Sequence, residues 1–523
     1  MALTTEQLQI AATRVHPSLK AREIELQNNL LCLYGGRPYI DARLSRAPCE
    51  PETSWSGRLE SAATEGFWNN STATEGVIGR KGRAFTINYA SRAVSKFLQY
   101  VFGAEIQRTG ILPAFQRDAT RTQLDVNAAF RQAAAYYLVC GWSWIGVDRL
   151  ASRIDPATGK PTQQSLAEKE ARGDRCWLTI WPATEVIDWQ YGPDGRLDWL
   201  ITEQEAEQDA GPFAERKTEG IRTVWSRGEY LRIRTVTEKG KRTVVGSTAG
   251  TLSARVVPFA LMGSPSPRPW FFDDLERVQA SILNLESLHD TNLAEAVFPQ
   301  LVLPHELIET IMNLAKCQYD RAVEIARGLS YPILEPPDSK GITRYIQPNA
   351  TDLAAIPNEI IRRRRELYEV AGLGFSNRDS AAPESAEAKE WNHLDLGASL
   401  RDKAHAWQSA ETQAVEIARA LDSSFPVYAP AYPMTFDTGD VKTKMESLLM
   451  AQQLDLPPSA VRETLHAAVD VLHRLNPIPS ERRAEIHAAI DQMPDESLNT
   501  VEAMTAAVSA AASRARTDLL PPA

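Results

Sequence analysis

The chain has 523 residues, of which 43% are hydrophobic, 24% charged and 8% aromatic, with a formal net charge of −10 and a pI near 5.5. This is ordinary globular composition: it excludes a collagen-like, wholly disordered or coiled-coil-only chain, and the length predicts about three domains at ~100–200 residues each. The net acidity disfavours adsorption to nucleic acid through a basic surface. No apolar run reaches the ~18–20 residues of a membrane span. The first ten residues lack the basic start and apolar stretch of a signal peptide. Five cysteines, Cys32, Cys49, Cys140, Cys176 and Cys317, form no C-x-x-C pair, which predicts reduced thiols in a cytoplasm-like compartment.

In chain order, residues 3–14 and 16–33 read as helices, and Gly35-Gly36-Arg37-Pro38 reads as a break. Residues 48–74 are polar, a loop with one short helix near 55–67. Residues 87–102 carry Tyr89, Ala93, Phe97, Tyr100 and Val101 at helical spacing, with Gly103 as the stop. Residues 125–139 predict a second helix and 141–147 a strand, and 155–160 a turn. From 177 to 262 the period becomes alternating, with strands expected at 177–181, 198–205, 220–225, 229–236, 242–245 and 255–261. Turn signals at 192–195, 227–228 and 239–241 separate them.

Residues 272–298 predict a long helix with Leu275, Val278, Ile282, Leu285, Leu293 and Val297 on or near one stripe. Residues 306–327 read as helical, 333–347 as short strands with turns, and 351–371 as a helix carrying Arg362, Arg363, Arg364 and Arg365. After a polar loop at 372–383, residues 384–422 have no proline and predict a helix on the order of 58 Å long, with a kink expected at Gly397. Residues 425–436 read as extended. A helical block occupies 441–516.

The sequence assembles no nucleophile, base and oxyanion site, and it lacks G-x-x-x-x-G-K-[ST], G-x-S-x-G and H-E-x-x-H. Gly76, Gly79 and Gly82 around Arg80, Lys81 and Arg83 could clamp phosphate or form a plain flexible loop. His466 and His473, seven apart, read as helix-surface histidines rather than metal ligands. Asp273 and Asp274 read as helix-start residues facing the dipole. The four arginines could meet phosphate or form a solvated, salt-bridged face, since consecutive residues cannot share one side of a helix.

The order of elements resembles the portal proteins of tailed bacteriophages, the ring-forming head-to-tail connectors. The likeness is carried by 88–94 (NYASRAV) through 102–107 (FGAEIQ), 133–148 (AAAYYLVCGWSWIGVD), 182–189 (PATEVIDW) followed by Asp194-Gly195, the helices at 272–299 and 351–372, and 384–389 (ESAEAK). The resemblance implies an α+β portal-type fold. Its wing is 1–270 with 384–437, its stem helices 271–298 and 350–372, its clip 299–349, its tunnel loop 373–383 and its helical crown 438–523.

It further implies a ring of twelve subunits at one capsid vertex, in the virion and, during assembly, in the host cytoplasm. The ring would be a channel for double-stranded DNA handled without sequence specificity. The implied partners are the large terminase, a head–tail adaptor, and the capsid and scaffolding proteins, with no membrane, cofactor, metal or catalytic activity. Under this reading Asn377, Arg378, Asp379 and Ser380 of the tunnel loop touch DNA, and Arg362–Arg365 are basic candidates on the stem. Glu306, Glu309, Lys316 and Lys340 are clip candidates for partner binding. The rival readings are another connector or adaptor ring, which is usually much shorter, and a packaging enzyme such as a terminase, which needs the missing P-loop.

Overall fold

The computed structural model describes residues 5–46, 80–103, 106–149, 175–208, 217–238, 241–252, 254–297, 300–303, 309–310, 312–313, 333–334, 344–346, 354–373, 386–422, 425–434, 436, 457–475 and 480–492. The expected short helix near 55–67 and turn at 155–160 lie outside them. The chain forms an α+β protein of two compact units. The first is Met1–Pro383 with Ala398–Phe436, and the second is Glu384–Gly397 with Asp437–Ala523.

The first unit starts with four helices, α1 (Thr5–Thr13), α2 (Pro17–Lys20), α3 (Glu23–Tyr34) and α4 (Gly36–Arg43). The expected single helix over 16–33 is thus two, and the expected break at 35–38 is a helix start. Gly35 makes the corner at φ 66°, and Pro38 falls in the first turn of α4, where a missing N–H leaves no bond unmade. Next come α5 (Arg80–Arg83) and α6 (Tyr89–Phe102). The Asn88 side chain accepts from the Ser91 N–H to cap α6. Gly103 ends that helix in right-handed geometry, its N–H on the Gln99 carbonyl.

Strand β1 (Gln107–Thr109) and α7 (Pro113–Arg117) lead to α8 (Val126–Cys140), the central helix of the unit. Ala129, Phe130, Ala133, Ala134, Leu138 and Val139 of α8 have no exposed surface; a fully buried Phe or Leu contributes ~1.5–3 kcal/mol. Asp125 caps its start, and Gly141 at φ 91° ends it, with the Trp270 ring 3.2 Å from where a Cβ would sit.

The chain then enters β2 (Trp142–Arg149), the middle strand of an antiparallel sheet with β3 (Cys176–Pro182) and β9 (Phe259–Gly263). Trp144 lies opposite both Trp181 and Leu261. Between β3 and β9 runs a five-stranded antiparallel meander of β4 (Val186–Tyr191), β5 (Leu197–Gln208), β6 (Lys217–Ser226), β7 (Glu229–Glu238) and β8 (Lys241–Thr251). The expected strand at 255–261 begins later, at Phe259.

After β9 come α9 (Phe271–Val297) and a three-stranded sheet of β10 (Gln300–Leu303), β11 (Ile333–Leu334) and β12 (Arg344–Ile346). β10 sits in the middle, parallel to β11 and antiparallel to β12. Helix α10 (Ala355–Val370) then packs along α9. Helix α11 (Ala386–Leu421) is assigned without interruption through Gly397, and the division between the two units falls directly after that glycine.

Strand β13 (Ala429–Ala431) returns to pair with β1, Gln107 opposite Ala431. Glu411 of α11, fully buried, holds this return. Arg108 donates to it at 2.7 Å and the Tyr432 hydroxyl at 2.5 Å, and Tyr428 bonds it as well. In the second unit α12 (Pro458–Leu475) and α13 (Ser480–Asp491) pack through Leu465, Val469 and Ile490, with Val461 and Ile486 against them.

Candidate functional site

The sequence directs attention to α9, α10 and the residues that join and follow them. Helix α9 is held in the first unit by polar side chains rather than by its apolar stripe alone. The Asp273 carboxylate accepts from the Trp270 N–H at 2.7 Å, closing the first turn. It also receives Arg22 at 2.8 and 3.0 Å and the Asn29 amide at 2.7 Å, while Arg22 donates again to the Cys140 carbonyl. Asp274, its neighbour, points out and pairs with Arg277 at 3.7 Å. Both acidic residues thus lie in the first turn of α9, as the helix-start reading expects, and Asp273 is in addition a buried core residue.

One turn on, Glu276 meets Arg43 at 2.7 Å and Tyr39. Burial pushes its carboxyl up, opposed by Arg43. Gln279 follows. Its carbonyl accepts the N–H groups of Tyr89 and Ala90 at 2.8 and 3.3 Å, and its amide donates to the Ile87 carbonyl at 3.0 Å. Those two donors are among the four that a helix start leaves without partners, so α9 caps α6. Asn284 accepts from the Ser45 N–H at 2.8 Å and donates to the Arg43 carbonyl, and Ser287 accepts from the buried Arg80. Residues 273, 276, 279, 284 and 287 recur every three to five positions and so share roughly one side of the helix. Leu275 and Ile282 of the expected apolar stripe are buried, but Leu293 is 46% exposed.

Arg80 is thus a structural side chain rather than a phosphate clamp, and Gly76 and Gly79 of that string lie outside the described residues. Lys81 and Arg83 are exposed.

On α10, Glu359 lies one turn before the arginine run. It receives Arg362 at 2.7 and 2.5 Å and Arg363 at 3.0 Å, and Glu366 receives Arg363 at 3.2 Å. The hydrogen bonds from Arg362 lead in holding the Glu359 carboxyl down to about 2. Arg362 and Arg363 therefore form the salt-bridged helix face that was one of the two expected alternatives. Arg364 is half-buried and also partnered, and Arg365 is exposed with no ion-pair partner among the described residues. Leu367 is buried, and Tyr368 meets the edge of Tyr89, its ring lying under the Lys96 ammonium.

The helix ends at Gly372, φ 68°. The Leu373 N–H reaches back to the Tyr368 carbonyl at 2.7 Å and the Gly372 N–H to Glu369 at 2.9 Å, with Leu373 buried as the apolar plug. A loop beginning at Gly372 thus has a fixed departure point.

Glu309 is exposed and helical. Asn377, Arg378, Asp379, Ser380, Glu306, Lys316 and Lys340 lie outside the described residues. Among the described residues no group of three or more His, Cys, Asp or Glu side chains is placed to hold a metal ion, and no helix is long and apolar enough to cross a membrane. No protein-family model matches the chain, and no curated protein matches it.

The polar stripe of α9 was missed by a reading that looked for apolar periodicity. Its only sequence signal is the near-regular spacing of Asp273, Glu276, Gln279, Asn284 and Ser287.

Proposed function

We propose that the chain is a portal protein: a subunit of a ring at one capsid vertex through which double-stranded DNA is packaged and ejected, and on which terminase and the head–tail adaptor dock. The observation that supports this reading most is the order around α9 and α10. Two helices packed side by side flank a small three-stranded sheet in chain order, and a left-handed glycine then ends the second of them ahead of a 36-residue helix. Paired helices that flank an insertion can be repeated around an axis by head-to-tail contacts, which close into a ring when the rotation divides a full turn.

On this reading α9 and α10 form the stem, and the segment between them the clip. The stem contributes little net positive charge through Arg362 and Arg363, because Glu359 and Glu366 already neutralise them. Arg365, exposed and without an ion-pair partner among the described residues, is the stem arginine we assign to a phosphate contact, and Arg378, outside the described residues, stays the candidate from the sequence. A channel that lets DNA slide needs few such contacts, since each adds salt-dependent affinity.

The test is direct. Negative-stain images and native mass of the purified protein are expected to give a closed ring with a central hole, and no ATP hydrolysis at enzyme rates. A strict monomer under all assembly conditions, or vigorous ATPase activity, would overturn the reading. Within it, Arg378→Ala is expected to alter packaging or DNA retention equally for unrelated DNA sequences while rings still assemble.

A further inference from the structure

Three cations act around Tyr368 of α10. Lys96 of α6 holds its ammonium 5.7 Å from the centre of the Tyr368 ring. The Tyr89 ring meets Tyr368 edge-on at 6.5 Å, and the Arg92 guanidinium lies 5.9 Å from the centre of Tyr89. Arg92 and Arg364 both act on the Tyr368 hydroxyl in the direction that favours its anion, although burial outweighs them and pushes the phenol up. Arg364 already has a partner. Among the described residues, by contrast, neither Arg92 nor Lys96 has a carboxylate partner, and the Tyr368 hydroxyl makes no hydrogen bond. Arg92 is exposed, and Lys96 and Tyr368 are half-buried.

Arg92 and Lys96 are four residues apart on α6, so they lie one above the other on the same side of the helix. Like charges at this spacing work against the helix unless something negative meets them. On the neighbouring helices the cations are met: Arg43 pairs with Glu276 of α9, and Arg362 and Arg363 pair with Glu359 and Glu366 of α10. Arg92 and Lys96 stand outside that pattern, in a chain whose net charge is −10. Both can only donate, and the phenol hydroxyl has a hydrogen to give. Glu369, next to Tyr368 in the chain, does not act on that hydroxyl.

We propose that Arg92, Lys96 and the Tyr368 hydroxyl form a phosphate site for the backbone of double-stranded DNA, carried by α6 and α10 and distinct from the loop that holds Arg378. The choice of DNA as the polyanion rests on the portal reading, whereas the site itself rests on the side chains. A field that favours negative charge on an oxygen at this place favours a phosphate oxygen there as well. The Cβ atoms of residues four apart on a helix are ~5–6 Å from each other, so the two long side chains can take neighbouring phosphates of one strand. Hydrogen bonds from a guanidinium or an ammonium to phosphate are charge-assisted and strong, and the hydroxyl adds a third donor. Contacts of this kind position DNA without reading its sequence.

The test is fluorescence anisotropy of the purified full chain with two labelled duplexes of unrelated sequence, at about 50 and about 200 mM salt, with native mass recorded on the same samples. The parent is expected to bind both duplexes alike. Arg92→Gln combined with Lys96→Gln removes two phosphate contacts. The slope of log affinity against log salt should then become shallower by about 1.8, so the rise in salt costs the parent about twelvefold more affinity than the variant. Tyr368→Phe should weaken binding about threefold with the slope unchanged, since it removes a donor and no charge. Lys20→Gln combined with Arg131→Gln removes two exposed cations outside the site and should leave affinity and slope as in the parent. A parent that binds neither duplex, an unchanged slope in the Arg92 and Lys96 variant, or an equal change in the Lys20 and Arg131 variant would overturn the inference. So would loss of assembly in the Arg92 and Lys96 variant with DNA binding kept, which would make the patch a contact between copies. Closed rings that bind no DNA would sink this site and leave the portal reading standing. A strict monomer whose DNA binding depends on Arg92 and Lys96 would keep the site and remove that reading.

Discussion

Arg22 and Asp273 stand 251 residues apart in the chain and meet at 2.8 Å, with side chains 4% and 2% exposed. The pair fastens the first turn of α9 to the N-terminal helices. Neither charge stands alone with the other: Arg22 also reaches the Cys140 carbonyl, and Asp273 also takes Asn29 and the Trp270 N–H. Removing one partner leaves a buried charge alone, at a cost of ~3–5 kcal/mol. Asp273→Ala and Arg22→Ala are each expected to lose that much in urea unfolding, and the double variant much less than the sum. Losses under about 1 kcal/mol in both singles would show that the pair does not hold α9.

Gln279 serves two backbone donors at the start of α6 and one acceptor just before it. Gln279→Leu keeps the bulk and strands those groups in a buried place. A loss of ~1–3 kcal/mol is expected, with faster amide exchange confined at first to Tyr89–Phe102. A uniform change across the first unit, with no early effect on that helix, would contradict the capping role.

Glu359 is a solvent-facing carboxylate held low by Arg362 and Arg363. A folded-state value below the unfolded one adds stability above the unfolded pKa, and that gain is lost only as pH falls through the folded value near 2. A carbon-13 titration of labelled glutamate should place Glu359 well under the ordinary carboxylate range. In Arg362→Ala the midpoint should move back up towards it. High salt should have the same sense, because exposed pairs are screened.

Gly372 has φ 68°, and nothing lies within 4 Å of where its Cβ would be. The whole cost of Gly372→Ala is therefore conformational, ~1 kcal/mol, visible as a small fall in melting temperature, and Gly372→Asn should cost less. Should the proposed function hold, rings of either variant still assemble.

Much of this architecture is local in origin and was legible in the residues. Tyr89 to Phe102 repeats its apolar side chains with the helical period, Asp125 and Gly141 mark the two ends of the next helix, and the alternating strands from Trp177 to Met262 lie between turn signals. Such features depend on neighbours three or four positions away, so the sequence records them directly. Contacts between distant segments leave no such trace. No periodicity joins Arg22 to Asp273, Gln279 to the Tyr89 N–H, or His466 to His487. Pro38 looked like a break until Gly35 placed it in a first turn, and the choice for Arg362 between phosphate and a salt-bridged helix face fell to the second through Glu359. What the sequence determined by itself is where helices and strands form, because backbone bonding and side-chain period are short-range. What only the tertiary structure decided is which polar groups are buried together. That choice is made by whichever partners satisfy one another when water leaves.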